Sequence, residues 1–356
     1  MERTTSRHMA VGTGSKRLSD ALKRIVDGET LDRSAARGVM HAILNARSSP
    51  AQLAGLLSAL AVRGVTVEEL VGFVETMRAS AEGAPLGNGL MDTCGTGGSG
   101  MPTVNTSTLV AFILAAAGVK VAKHGNRASS GKCGSADVME ALGIGVEMGP
   151  AMAAKALRET NFAFLFAPRY HPAMKHVMAV RKELGFRTVF NLLGPLCNPA
   201  NPSRQLVGVS DPEAAPLMAA CLNELGVERA MVVHGYDGLD EFTLCASTEI
   251  FEVKNGRIDR RIYEPEMAGL ERVPFAAIEG GDVGRNQVLF FDILGGKEVS
   301  PRVDSVLLNA GAGLYLNDLA PTIREGVDLA RAVLRSREPM KRFLAYRRIS
   351  KPDGEH

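Results

Sequence analysis

The hydrophobic periodicity of this chain changes once, at the glycine-rich stretch from Glu82 to Gly89, and that change bounds what the chain can fold into. Before it the spacing is helical. Ser49-Pro50-Ala51-Gln52 forms a capping box with proline at the first helical position. Leu53, Leu56, Leu57, Leu60 and Ala61 follow on one face, and Gly64 closes the helix. Thr66 and Glu69 open the next, with Leu70, Phe73, Val74 and Met77 on one stripe. A small bundle of about four helices over Leu18–Ala81 is expected. After the change, short apolar runs alternate with helical stretches. Strands are expected at Leu90–Cys94, Val119–Ala122, Ala163–Ala167, Gln205–Val209, Ala230–His234 and Glu249–Val253. Helices are expected at Ser107–Ala117, Ala136–Leu142, Ala214–Leu225 and Thr322–Ser336. This alternation argues for an α/β domain with a mostly parallel central sheet. The division expected is a flexible tail over 1–15, a helical domain over 16–84 and an α/β domain over 88–350.

Composition narrows the function. With 41 basic and 39 acidic residues the net charge is +2, which gives no electrostatic case for a dedicated nucleic-acid binder. The five cysteines are scattered without a CxxC pair, so neither a zinc cluster nor a disulfide framework is supported, and a reducing, cytoplasmic setting is expected. The longest apolar run, Leu109–Val119, is too short to span a membrane. The basic N-terminus has no hydrophobic stretch and does not read as a secretory signal. The basic C-terminal stretch from Lys341 to Lys351 reads as a solvated helix end.

Four elements carry chemistry. Gly95-Thr96-Gly97-Gly98-Ser99-Gly100 follows a strand, and its glycines let backbone N–H groups converge on an anion. Taken alone it also fits a tight turn without a ligand. The string matches a dinucleotide fingerprint formally, but the next strand runs into Lys120-Val121-Ala122-Lys123-His124 without the carboxylate a ribose would need. The second element, Gly125 to Cys133, looks like a nucleotide-triphosphate loop. It has five residues between its glycines and a cysteine after Lys132, so no hydroxyl is placed for magnesium. Together the two loops gather hydroxyls, amides and the cations Lys123 and Arg127, a set suited to a polyphosphate. The third element, His234-Gly235-Tyr236-Asp237-Gly238-Leu239-Asp240-Glu241, places adjacent carboxylates after a strand. They suit magnesium beside phosphates, or alone a solvated acidic turn. In the fourth, His171 and His176 stand five apart, a poor spacing for a shared metal, and Arg181 is either a carboxylate clamp or a surface arginine.

At these elements the sequence resembles the anthranilate phosphoribosyltransferase family, from roughly Leu18 to Ala345. The strings are DTCGTGGSG with TVNTST, KHGNRASSGKCGSADVMEALG, FAPRYHPAMKHVMAVRKELGFRTVFNLLGPLCNPA, HGYDGLDE, and GGDVGRNQ with LLNAGAGLYL. The resemblance implies transfer of phosphoribose from phosphoribosyl pyrophosphate (PRPP) to the amine of anthranilate in tryptophan biosynthesis. It also implies Mg2+, a homodimer joined through the helical domains, an active site in the hinge cleft, and helices near 170–200 that rejoin the helical domain. Neither a nucleic-acid nor a membrane partner is expected.

Carried over by motif, Gly95, Gly98, Ser99, Thr103, Asn105, Ser107, Thr108, Lys123 and Ser135 would hold PRPP, with Gly125, Asn126, Arg127, Ser129, Ser130 and Gly131 completing the second loop. Ser107, Asp240 and Glu241 would hold magnesium. Gly95, Asn126 and Arg181 would meet anthranilate. Lys123, Asp240 and Glu241 would matter most to catalysis, by electrostatics and positioning, with no residue assigned as acid, base or nucleophile. Ser99 stands where the family usually has aspartate, and Gly131 and Cys133 where serines are common. The alternatives are a same-fold transferase with another aromatic acceptor, a non-catalytic nucleic-acid-binding paralogue, or a pyrimidine nucleoside phosphorylase.

Overall fold

The computed structural model describes residues 17–128 and 133–351. The tail expected over 1–15 lies outside them. Contacts divide the chain into two compact units, one reaching Glu82 and including Tyr170–Cys197, the other Gly83–Arg169 and Asn198 onward.

The first unit is helical: 17–26, Arg33–Leu44, Pro50–Arg63, Val67–Ser80, Lys175–Leu184 and Phe190–Leu196. Capping boxes at Ser49–Gln52 and Thr66–Glu69 start two of these helices. Glu69 does more than cap. Fully buried, it accepts from the Thr66 and Leu31 amides at 2.9 Å each and pairs with Arg63, so one carboxylate ties three segments together. Helices Arg33–Leu44 and Val67–Ser80 approach closely at Gly72, where a Cβ would stand 2.6 Å from the Arg33 carbonyl oxygen. The late segment is tied in by His176 Nε2 on the Ile43 carbonyl and by Arg78 Nε donating to Leu196 O at 2.8 Å. His171 Nε2 meets the Cys197 carbonyl at 3.0 Å. Both histidines are therefore structural pins within this unit.

The second unit is built on a seven-stranded sheet of order β3-β2-β1-β4-β5-β6-β7. The strands are β1 (Leu90–Gly95), β2 (Lys120–Gly125), β3 (Phe162–Phe166), β4 (Arg204–Gly208), β5 (Arg229–Gly235), β6 (Thr248–Lys254) and β7 (Arg257–Tyr263). β3, β2, β1, β4 and β5 pair in parallel, while β6 and β7 are antiparallel. β7 was not among the expected strands. Its residues are mostly exposed and charged, so it lacks the apolar alternation that marks a half-buried strand.

Helix Thr106–Ala116 is apolar nearly all round because it lies beneath the sheet and against helices Pro301–Leu316 and Glu338–Ser350. Phe112 meets Phe162 at 4.4 Å and lies edge-on to Phe343 at 5.5 Å between ring centroids. Truncating so enclosed a ring costs about 3–5 kcal/mol. At the sheet edge the Phe164 N–H donates to Tyr346 Oη at 3.0 Å, which covers an otherwise open strand edge. The basic C-terminal stretch lies largely on this docked helix, where Lys341 pairs with Glu338 and Arg347 lies over Phe343.

Candidate active site

The chain winds outward from β1 to β3 on one side and resumes at β4 on the other, so the sheet reverses direction between β1 and β4. Ligands of open α/β sheets bind at the carboxyl ends of the strands at such a point. Here β1 ends at Gly95 and β4 at Gly208, and the acidic loop after β5 lies across both. A Cβ at Gly95 would stand 2.4 Å from Asp240 Oδ2, and one at Gly208 would stand 1.6 Å from the Asp240 carbonyl oxygen. Only glycines admit Asp240 to this place. Its Oδ2 accepts from the Gly97 N–H at 2.8 Å, joining the acidic loop to the glycine loop.

The acidic loop is shaped locally. Asp237 Oδ1 accepts from the Leu239 amide at 3.1 Å and its Oδ2 from Thr243 Oγ1 at 2.6 Å, so this carboxylate builds the turn. Glu241 is half-buried. Burial, reinforced by the charges of Asp240 and Asp237, pushes its carboxyl up to about 8 against the pull of the Thr106 and Thr103 hydroxyls. Like-charge crowding of this kind is what a divalent cation relieves. The residues expected to hold magnesium, Ser107, Asp240 and Glu241, offer only oxygen, which is what magnesium prefers. Among the described residues no three His, Cys, Asp or Glu side chains converge as a metal cage.

The glycine loop turns through Gly97, Gly98 and Gly100 at φ of +65°, +83° and +73°, a region closed to most side chains. Ser99 Oγ accepts from the Met101 amide at 3.3 Å. Beyond it the amino end of helix Thr106–Ala116 presents Ser107 and Thr108. Thr108 Oγ1 and Asn105 Oδ1 are buried and, among the described residues, have no hydrogen-bond partner. These two oxygens at a helix amino end are placed to exchange hydrogen bonds with a polar group.

Lys123, on β2, is fully buried, and its Nζ donates to Ser107 Oγ at 2.9 Å and to the Thr93 carbonyl. Burial holds its ammonium below the usual lysine range, and the charge of Asp92 opposes that. Asp92 is itself buried, accepting from the His124 amide at 3.2 Å and from Asn198 Nδ2 at 2.8 Å, and burial pushes its carboxyl up to about 6. Neither Asp92 nor Asn198 was singled out from the sequence. The signal available was a charged residue inside an apolar strand, which needs a partner when buried.

In the second loop, Asp137 Oδ2 accepts from both the Ala128 and Gly134 amides at 2.8 Å and draws the loop's ends together. A Cβ at Gly125 would stand 2.3 Å from Ser135 Oγ, so the two expected contributors are immediate neighbours. Asn126 Oδ1 accepts from the Arg127 amide at 2.8 Å. Arg127 is paired with Glu140 at 2.6 Å and lies 4.8 Å over Phe166. Burial pushes the Cys133 thiol up to about 12, so it is a neutral group at physiological pH. Ser129, Ser130 and Gly131 lie outside the described residues.

Arg181 belongs to the helical unit, on helix Lys175–Leu184. It lies 5.6 Å over Phe190, and burial lowers its pKa. Two buried asparagines complete the α/β site. Asn309 accepts from the Phe242 amide at 3.0 Å and donates to the Phe242 carbonyl at 2.8 Å, gripping the backbone next to Glu241. Asn286 Oδ1 accepts from the Asn105 amide at 2.7 Å.

Residues 87–338 match the glycosyl transferase family a/b domain, and residues 19–81 match the helical bundle domain of the glycosyl transferase family. The anthranilate phosphoribosyltransferase of Brevibacillus brevis is 50% identical over 311 residues, 87% of this chain and 91% of that protein. That of Rubrobacter xylanophilus is 44% identical over 334 residues, 94% of this chain and 98% of that protein. The crystal structure of anthranilate phosphoribosyltransferase from Thermus thermophilus has a TM-score of 0.88 at 44% identity, covering 94% of this chain and 100% of that one. The Saccharomyces cerevisiae enzyme in complex with PRPP and Mg gives 0.85 at 25% identity, covering 94% and 97%. With two domain models matched in chain order and relatives this similar over nearly their full length, the chain belongs to the anthranilate phosphoribosyltransferase family.

Proposed function

We propose that this chain transfers the 5-phosphoribosyl group of PRPP to the amine of anthranilate, releasing pyrophosphate, as a step of tryptophan biosynthesis. The observation that carries the reading is the seat of Asp240 and Glu241 at the sheet's reversal point. There Asp240 is hydrogen-bonded to the glycine loop, beside the helix whose amino end carries the buried oxygens of Asn105 and Thr108.

The glycine-loop amides, Ser99, Thr103, Asn105, Thr108 and Lys123 receive the donor's phosphates and ribose, with Asn126 and Ser135 from the second loop. Lys123 donates to Thr93 and Ser107, which fixes its ammonium beside the amino end of helix Thr106–Ala116. Ser107, Asp240 and Glu241 would hold Mg2+, which when bound supplies the charge neutralisation that makes pyrophosphate a good leaving group. The C1–oxygen bond of PRPP breaks through an oxocarbenium-like state, and the neutral aromatic amine forms the new C1–nitrogen bond from the opposite face. The amine's proton leaves to solvent. Such an amine needs no strong base, and positioning and electrostatics supply most of the acceleration. Arg181 takes the anthranilate carboxylate. A homodimer joins through the helical bundle, as the family resemblance that motivates this reading implies. The five free cysteines suit a cytoplasmic setting.

Pyrophosphate release from PRPP, measured with a panel of aromatic amines, tests the reading. Release with anthranilate supports it, and release only with another amine overturns the acceptor. Phosphorolysis of a pyrimidine nucleoside without transferase activity overturns the reaction class.

A further inference from the structure

Residues 279–286 lie across the second half of the glycine loop. Thr103 bridges Glu279 in antiparallel fashion, and the Gly280 N–H donates to the Pro102 carbonyl at 2.8 Å. A Cβ at Gly280 would stand 2.3 Å from the Thr103 carbonyl oxygen and 2.4 Å from the Val104 nitrogen, so the two backbones meet without room for any side chain. The segment ends in Asn286, which is 2% exposed. Its Nδ2 donates back to the Gly281 and Asp282 carbonyls at 3.1 Å each, and its Oδ1 accepts from the Asn105 N–H at 2.7 Å. One carboxamide thus closes the segment on itself and fastens it to the loop.

The fastened residue matters. Asn105 precedes helix Thr106–Ala116 at ψ of 68°, outside the helical region, and its side chain makes no capping hydrogen bond to the helix. Its amide is held from outside by Asn286, while its own Oδ1 is one of the two buried oxygens without a partner among the described residues. The backbone is therefore fixed by a neighbour, and the side chain is not spent on capping.

We propose that residues 279–286 form a strap that sets the donor pocket, with Asn286 as its positioning residue. It holds Asn105 and the amino end of helix Thr106–Ala116 in the conformation that receives the PRPP phosphates. This rests on the transferase reading above. Neither Asn286 nor Gly280 touches substrate in the proposal; both act through residues 102–105. Their contribution is to order the loop before binding, so that affinity is not lost to ordering it afterwards.

The test uses the full chain and two variants, Asn286→Leu, which removes both halves of the clasp, and Gly280→Ala, which forces the strap off Thr103. Steady-state KM for each substrate, kcat, calorimetric binding of pyrophosphate and Tm are measured. We expect KM for PRPP and Kd for pyrophosphate to rise about tenfold or more in both variants, with KM for anthranilate changed less than about twofold. A core variant remote from the site, Leu334→Ala, should lower Tm while leaving KM for PRPP unchanged. Should Asn286→Leu fail to fold, Gly280→Ala carries the test. An unmoved donor KM with only Tm reduced, or the two substrate KM values rising together, overturns the strap. Wild-type protein that fails to turn over PRPP and anthranilate strikes the transferase reading instead. Wild-type turnover with an unmoved donor KM in the variants strikes the strap alone.

Discussion

The Asp240 carboxylate accepts a hydrogen bond from the Gly97 N–H at 2.8 Å, joining the acidic loop after β5 to the glycine loop after β1. Asp240→Asn can keep an acceptor for that amide while removing the charge and turning the other oxygen into a donor. Turnover at limiting magnesium should fall about a hundredfold or more, with Tm within a few degrees of wild type. Adding Glu241→Gln should deepen the loss. Unchanged magnesium dependence in the double variant would remove both residues from the metal site.

Asp240 reaches this place only because Gly95 and Gly208 end their strands. At Gly208 even a methyl group would lie 1.6 Å from the Asp240 carbonyl oxygen, and the obstacle is backbone that cannot turn aside. Gly208→Ala should cost about 1–3 kcal/mol, seen as a lowered midpoint in urea, and should cut kcat/KM for PRPP more than about tenfold. A fully active and stable Gly208→Ala protein would show that the acidic loop is not seated as described.

Arg181 is assigned to the anthranilate carboxylate. Arg181→Ala should raise KM for anthranilate about tenfold or more and leave KM for PRPP nearly unchanged. The reverse pattern would place the residue at the donor.

Burial pushes the Asp92 carboxyl up to about 6 from an ordinary value of 3.8. An acid raised on folding lets the unfolded chain lose its proton first, so stability contributed by the neutral form is lost as pH climbs from about 3.8 to about 6. Asp92→Asn does not titrate. Its Tm should therefore fall less than that of wild type across this interval, whatever its starting stability. Equal slopes for the two proteins would contradict the burial argument.

Much of this architecture is legible in the sequence where local chemistry and burial agree. The capping boxes at Ser49 and Thr66 start helices as read, because cap hydrogen bonds are made within three residues. The strands expected at Leu90–Cys94, Val119–Ala122 and Ala230–His234 announce themselves by short apolar runs, and each proves to run on to a glycine, Gly95, Gly125 and Gly235. β7 does not, since an exposed edge strand has no apolar face to display. At the site, Asp240 and Glu241 can be found by their type and place after a strand. What makes them a site, the close approach of Gly95 and Gly208 to Asp240, is a contact across more than thirty residues that no local pattern encodes. The same holds for Asn286 and Asn309, whose amides act on backbone far away in the chain. Arg127 likewise pairs with Glu140, thirteen residues on, a contact its place after β2 does not announce.

Loss of anthranilate fluorescence on mixing the purified chain with PRPP and magnesium tests the central claim most directly. The account predicts a time-dependent loss that needs both additions and matches pyrophosphate release one for one. Stable fluorescence, under conditions where a known anthranilate phosphoribosyltransferase consumes the same substrate, would contradict it.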